Sequence, residues 1–302
     1  MFKSKNSMSR ALVRRETTAG YLFLLPSLFF FVTFVLYPMF LCIYTSFFDS
    51  NMGKNAVDVF VGLGNYKELF RDKLFLGALK NTVVIVVVAV PTVCAFSLWV
   101  ATAIYDMKPA LTSAFRCIFY LPVVTGSVAV TVVWKWMYNS RYGVFNYLFK
   151  SLGIIDQNIN WLGDARFALW CIILILFTTS VGQPIVLYVS ALGNVDHSLV
   201  EAAQVDGANR RQVFWKIKWA QIMPTTLYIL IITTINSFQC FALIQLLTSG
   251  GPTHSTDTIM YYIYYTAFKL YRYGYGNAMG VVLMVIIAVL SAVQFKLGQR
   301  SD

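Results

Sequence analysis

The sequence predicts an all-α polytopic membrane protein with six transmembrane helices. Three observations carry that reading. Only 12% of the 302 residues are charged, whereas 58% are hydrophobic. The apolar residues gather into six long runs, and the charges collect between them. A soluble domain carries roughly 25% charged residues, and half that level leaves no polar skin for water to solvate. A helix that crosses a bilayer needs ~20 predominantly apolar residues, and each run comes close to or exceeds that length.

The first run, 21–47, follows Arg14 and Arg15 as a secretory leader would. It is too long for one, and Tyr37 and Pro38 stand where a small-residue cleavage site belongs, so it is read as a retained helix. The others are 82–104, 117–138, 167–192, 225–248 and 278–297. Lys135, late in the third, sits between Trp134 and Trp136. That setting suits a lysine whose ammonium reaches back to the membrane surface. No acidic residue is embedded in a span, which leaves a proton-coupled carrier little to work with.

Orientation follows the basic residues. Lys3, Lys5, Arg10, Arg14 and Arg15 precede the first run, which predicts both termini in the cytoplasm of a multi-pass protein of the bacterial cell membrane. The net charge of +11 is spread over short segments between apolar runs. This reads as positive loops beside anionic membrane lipid, and nucleic acid is not an expected partner. Cys42, Cys94, Cys117, Cys171 and Cys240 all lie in or beside apolar runs without a CxxC pair, so neither a zinc site nor a disulfide framework is expected. No HExxH metal motif and no GxxxxGK[ST] phosphate loop occurs, so no catalytic site is expected and ATP is not expected to bind this chain.

The segment 193–224 differs from the other loops. It carries Glu201, Ala202, Ala203, Gln204, Val205, Asp206 and Gly207, then Ile222, Met223 and Pro224. The first stretch favours helix, Gly207 permits a turn that a Cβ would resist, and Pro224 is expected to stop the next helical piece. Ala202 and Ala203 allow a partner surface to approach closely, and Glu201 places a charge near the expected helix start, where it is favoured. An ordinary amphipathic loop would satisfy the same physics.

With this spacing, the segment resembles the EAA loop of type I ABC importer permeases, whose pattern is Glu-Ala-Ala, three residues, Gly and a later Ile-x-Leu-Pro; here Met223 stands for the Leu. The likeness extends over nearly the whole chain, towards the carbohydrate-type permeases. It includes Leu36-Tyr37-Pro38, Val61 to Tyr66, Tyr120-Leu121-Pro122, and Leu247-Thr248-Ser249-Gly250-Gly251-Pro252. The resemblance implies the type I permease fold. Residues 1–76 would form the tail, first helix and outer loop, and 77–298 a core of five transmembrane helices containing the coupling loop. It also implies a second homologous permease, two ATPase subunits that bind the ATP, an extracytoplasmic solute-binding protein and a sugar substrate. Glu201, Ala202, Ala203, Asp206 and Gly207 would then form the ATPase-coupling element.

A sugar path needs hydrogen-bonding side chains. Thr233, Asn236, Ser237 and Cys240 recur at three to four residues and form one helical stripe. Thr179 and Gln183 on the fourth run are further candidates. In the maltose-type subunit that the chain resembles, the matching stripe contributes to a sugar site; here Ser237 and Cys240 replace amide side chains. Small polar residues also serve as hydrogen bonds between membrane helices, so both roles are open for these positions. An importer of a non-sugar solute such as glycerol phosphate is the alternative, although a phosphate ester would favour an embedded Lys or Arg.

Overall fold

The computed structural model describes residues 3–50 and 58–298, with side chains described at Val13 and from Arg15 onward. The tail cations Lys3, Lys5, Arg10 and Arg14 on which the predicted orientation rests lie, as side chains, outside the described residues.

Helix α1 (Lys3–Phe31) passes through a π-helical turn (Val32–Leu36) into α2 (Tyr37–Thr45). Pro38 lies just beyond that turn, and its ring would press on the carbonyl of Phe34 in a regular helix. The wider turn relieves this. Strands β1 (Phe48–Asp49) and β2 (Val59–Phe60) pair antiparallel, and α3 (Gly64–Leu69) follows. The long helix α4 (Lys73–Tyr105) starts at Asp72, whose carboxylate accepts the Leu74 N–H at 2.8 Å.

The third apolar run is not one straight helix. α5 (Pro109–Val124) and α6 (Ser127–Met137) meet at 95°. Thr125 and Gly126 between them are both extended, with ψ of 129° and 139°. Pro122 has already removed one helical N–H from the turn before them. Among the described residues, five helices are long and apolar enough to cross a membrane, and the bent pair makes a sixth when counted as one span. Lys135 is exposed in the last turn of α6, beside Trp136.

After α7 (Val144–Ser151), α8 (Ala168–Ser180) and α9 (Gly182–Gly193) form one span. The short α10 (His197–Val205) precedes α11 (Arg210–Val213). From α11 the helix continues through a π turn (Phe214–Lys218) into α12 (Trp219–Phe238). Pro224 therefore does not stop a helix: it lies inside α12. Inside a membrane bundle, neighbouring helices and local adjustments compensate a proline's lost bond. α13 (Ala242–Leu247), α14 (Ile259–Tyr264) and α15 (Tyr273–Gly298) complete the described residues.

Helices α4, α9 and α12 form the centre. Val93, Ala101 and Ile104 of α4 pack with Ile185, Tyr188 and Leu192 of α9 and with Ile222 and Ile229 of α12. At the opposite end, the Asp72 carboxylate accepts the hydroxyls of Tyr262 at 2.7 Å and Tyr275 at 2.9 Å. Arg272 forks onto Glu68 with two bonds of 2.8 Å. These contacts join α3, α4, α14 and α15 at the β-ribbon end. The most apolar stretch of the first span has none of its residues buried. Its attachment is through α2, where Asn277 donates to the Thr45 hydroxyl at 2.7 Å.

Candidate functional site

Two features stand out: a small helix at one end of the bundle and a polar cavity in its middle. The helix is α10. Its N-cap is Asp196, whose carboxylate accepts the Ser198 N–H at 2.9 Å. The bonds from Ser198 hold the Asp196 carboxyl below the usual carboxylate range. The Asp196 N–H donates to the Gln221 side chain at 3.0 Å, which fixes the start of α10 to α12.

The other end of α10 closes in a Schellman motif. The Ala208 N–H donates to Ala203 O at 2.9 Å and the Gly207 N–H to Gln204 O at 3.0 Å. Gly207 has φ +84°, the left-handed conformation that this motif requires and that glycine adopts without Cβ strain. Asn209 then caps α11 reciprocally with Gln212, at 2.9 and 2.8 Å. Sequence reasoning placed the turn at Gly207 and missed both caps. The signals were there: Asp two residues before Ser198, and Asn three residues before Gln212.

No residue of α10 is buried. Leu199 is 50% exposed and Val205 88% exposed. Glu201, Ala202 and Asp206 are exposed and Ala203 half-buried. Glu201 does not sit near the helix start as expected. It is the fifth residue of α10, beyond the first turn to which the dipole effect is confined, and Asp196 takes that place. A helix this short is marginal alone in water, so the caps and the Gln221 tie hold it in position with an apolar face uncovered.

The cavity lies between the α8–α9 span and α12, with Val123 of α5 beside it. It has a volume of about 170 Å³, and its polar lining is Thr179, Ser180, Gln183, Thr233 and Asn236, with Val123 and Ile232 among the apolar walls. No lining side chain is ionisable. Thr179 spends its hydroxyl on the Ile175 carbonyl at 2.9 Å. Among the described residues, Ser180, Gln183, Thr233 and Asn236 have no side-chain hydrogen bond, leaving donors and acceptors for a guest. Interhelical bonds fall to other residues: Ser97 reaches Val181 O at 3.2 Å, and Gln294 reaches the Thr234 hydroxyl at 2.9 Å.

The predicted stripe therefore divides. Thr233 and Asn236 reach the cavity, with Thr179 and Gln183 opposite. Ser237 is 2% exposed and is not part of the lining. Cys240 lies two residues beyond the end of α12, is buried, and accepts the Thr258 hydroxyl on its carbonyl at 2.7 Å. The periodicity that put it on the stripe ends at Phe238. Ser180 is a lining residue that sequence reasoning did not single out.

Gly182 sets how closely α5 approaches α9 beside the cavity. A Cβ there would lie 2.3 Å from the Phe119 carbonyl oxygen, so only glycine lets α5 approach α9 this closely.

Comparison with known proteins gives concordant matches. The family described as binding-protein-dependent transport system inner membrane component matches residues 59–302. The chain is 33% identical to the probable ABC transporter permease protein YesP of Bacillus subtilis, with 94% of this chain and 91% of that protein aligned. It is 32% identical to the lactose transport system permease protein LacF of Rhizobium radiobacter, over 94% of this chain and 95% of that one. A chain of the bacterial alginate ABC transporter, crystallised with its alginate pentasaccharide-bound periplasmic protein, superposes with a TM-score of 0.82 at 24% identity. That match covers 95% of this chain and 96% of its counterpart.

Proposed function

The chain belongs to the binding-protein-dependent transport system inner membrane components, and on that premise we propose that it is a pore-forming permease subunit of an ATP-driven importer for a sugar or oligosaccharide. The observation that carries this reading is α10, capped at both ends, tied to α12 and carrying no buried residue. Such a helix suits docking into a groove on a separate ATPase subunit and passing that subunit's motion to the spans through α11 and α12. Glu201, Ala202, Ala203, Asp206 and Gly207 form the coupling element. ATP is held and hydrolysed by two partner ATPase subunits, and this chain contributes no catalytic group. The α10 end faces the cytoplasm, as do both termini.

The solute path runs past Thr179, Gln183, Thr233 and Asn236. A volume of about 170 Å³ is below the roughly 300 Å³ of a complete small-molecule site, which suits one wall of a site whose other wall belongs to a second homologous permease. Uncharged amides and hydroxyls match a neutral carbohydrate, and the lactose permease relative supports that class. A solute-binding protein outside the membrane delivers the sugar. The test is sugar uptake, with co-purification of the ATPase, for Glu201→Lys and for an Asp196→Ala/Gly207→Val pair. Wild-type uptake by both at wild-type expression overturns the coupling role.

A further inference from the structure

A second cavity, of about 720 Å³, lies behind α10. Its walls come from the end of α4, the end of α9, the inward side of α10 and the start of the long helix that begins with α11. Arg210 and Lys218 line it, with His197 and Gln204 from α10 and Asp106 at the end of α4. Lys218 is half-buried, and its ammonium stands 5.3 Å from the centre of the Tyr105 ring, which holds the charge in place. Among the described residues neither Arg210 nor Lys218 forms an ion pair, and nor does Asp106. We propose that this cavity binds a phosphoryl group, Arg210 and Lys218 supplying its counter-charges.

The chemistry fits. Two cations against one exposed carboxylate leave an excess of positive charge, and His197 and Gln204 add hydrogen-bond donors. Arg forks onto phosphoryl oxygens, and Lys meets them as a point charge. The location favours the headgroup of an anionic phospholipid over a dissolved phosphate. Trp99, Thr102 and Asp106 lie on one face of α4. Trp99 is 65% exposed, and Thr102 and Asp106 line the cavity. Trp215 is also 53% exposed and packs on Trp219, with ring centres 5.5 Å apart. Tryptophans of this kind mark the headgroup level of a bilayer, and basic pockets between helix ends at that level are where anionic headgroups bind. A bound headgroup would bridge α4 to α10 and α11, and so would bear on the position of the coupling helix. The inference requires only that the chain spans a membrane, not that it carries sugar.

The experiment uses the assembled transporter in nanodiscs of phosphatidylcholine with or without phosphatidylglycerol, the retained lipid being counted by native mass spectrometry. A second arm titrates inorganic phosphate calorimetrically in phosphatidylcholine discs. Arg210→Gln/Lys218→Gln is compared with Arg211→Gln/Lys216→Gln, which removes the same charge from side chains outside the cavity. Gln204→Trp fills the cavity without changing charge. A phosphatidylglycerol molecule retained by wild type and by the 211/216 pair is expected to fall at least tenfold in the 210/218 pair and in Gln204→Trp. The same pattern with inorganic phosphate instead assigns the site to a soluble phosphate. Equal loss in both charge pairs, or no retained anion in the wild-type assembly, overturns the proposal.

Discussion

The Ala208 N–H reaches back across Gly207 to the carbonyl of Ala203 at 2.9 Å, and this bond sets the direction in which the chain leaves α10. It exists because Gly207 holds φ +84°. No atom lies within 4 Å of a Cβ built there, so any penalty for a side chain comes from the backbone and not from a clash. Gly207→Val should cost about 1–3 kcal/mol at this turn and abolish uptake while membrane insertion stays normal. Gly207→Asn, which tolerates the left-handed region, should retain a substantial part of the uptake. Equal uptake by the Val variant and wild type would remove the motif from the mechanism.

Asn236 and Ser237 are neighbours with opposite expected phenotypes. Asn236 is exposed to the cavity and should tolerate Leu in assembly while the KM for uptake rises several-fold, because a hydrogen-bonding group is lost from the path. Ser237 is buried, so Ser237→Trp should overpack the helix contact by about 1–3 kcal/mol or more and lower the yield of assembled transporter. Normal assembly of Ser237→Trp with altered selectivity would place Ser237, and not Asn236, on the path.

Gly182→Ala should push α5 away from α9. The added Cβ would meet the Phe119 carbonyl at 2.3 Å, a contact with backbone that no rotamer change relieves. A loss of about 1–3 kcal/mol is expected, read as a lower melting temperature in detergent. An unchanged melting temperature would show that the two helices separate freely.

Asp72 makes stability pH-dependent. Burial raises its pKa, but the Tyr262 and Tyr275 hydroxyls and the N–H groups of Leu74 and Phe75 outweigh that, so the native value lies below the ordinary one. A depressed carboxylate stabilises the folded state above its unfolded pKa of about 3.9, and that contribution disappears as pH falls through the native pKa. Asp72→Asn should therefore melt lower than wild type at pH 7, by about 1.5–3 kcal/mol for the charged hydrogen bonds. The gap should close as the pH is taken below about 3.9. A gap that persists unchanged below that pH would show that the Asp72 charge is not what stabilises this end.

What the sequence reveals, and what it withholds, follows from range. Apolar length places the six spans, because the membrane's demand on a helix is local. It says nothing of direction, so the 95° break at Thr125 and Gly126 is hidden inside a continuous apolar run although Pro122 stands beside it. The turn at Gly207 is legible because a Schellman motif is encoded within six residues. The predicted polar stripe is legible in part: Thr233 and Asn236 follow the helical period to the cavity. Cys240 does not, because α12 ends at Phe238 for reasons that lie in contacts such as Thr258 with the Cys240 carbonyl, 18 residues away. The phosphoryl cavity joins Tyr105 to Lys218, a separation that no motif spans.

The bond from Asn277 to Thr45 connects residues 232 positions apart. The first span is made before its partner on α15. At 5–20 residues per second, roughly 10 to 50 s separate the two. During that interval the first span has only its nearer partners, with Tyr66 on the Ser46 hydroxyl and Asn65 on the Ser46 carbonyl, and its contact with α15 forms only when that helix is delivered.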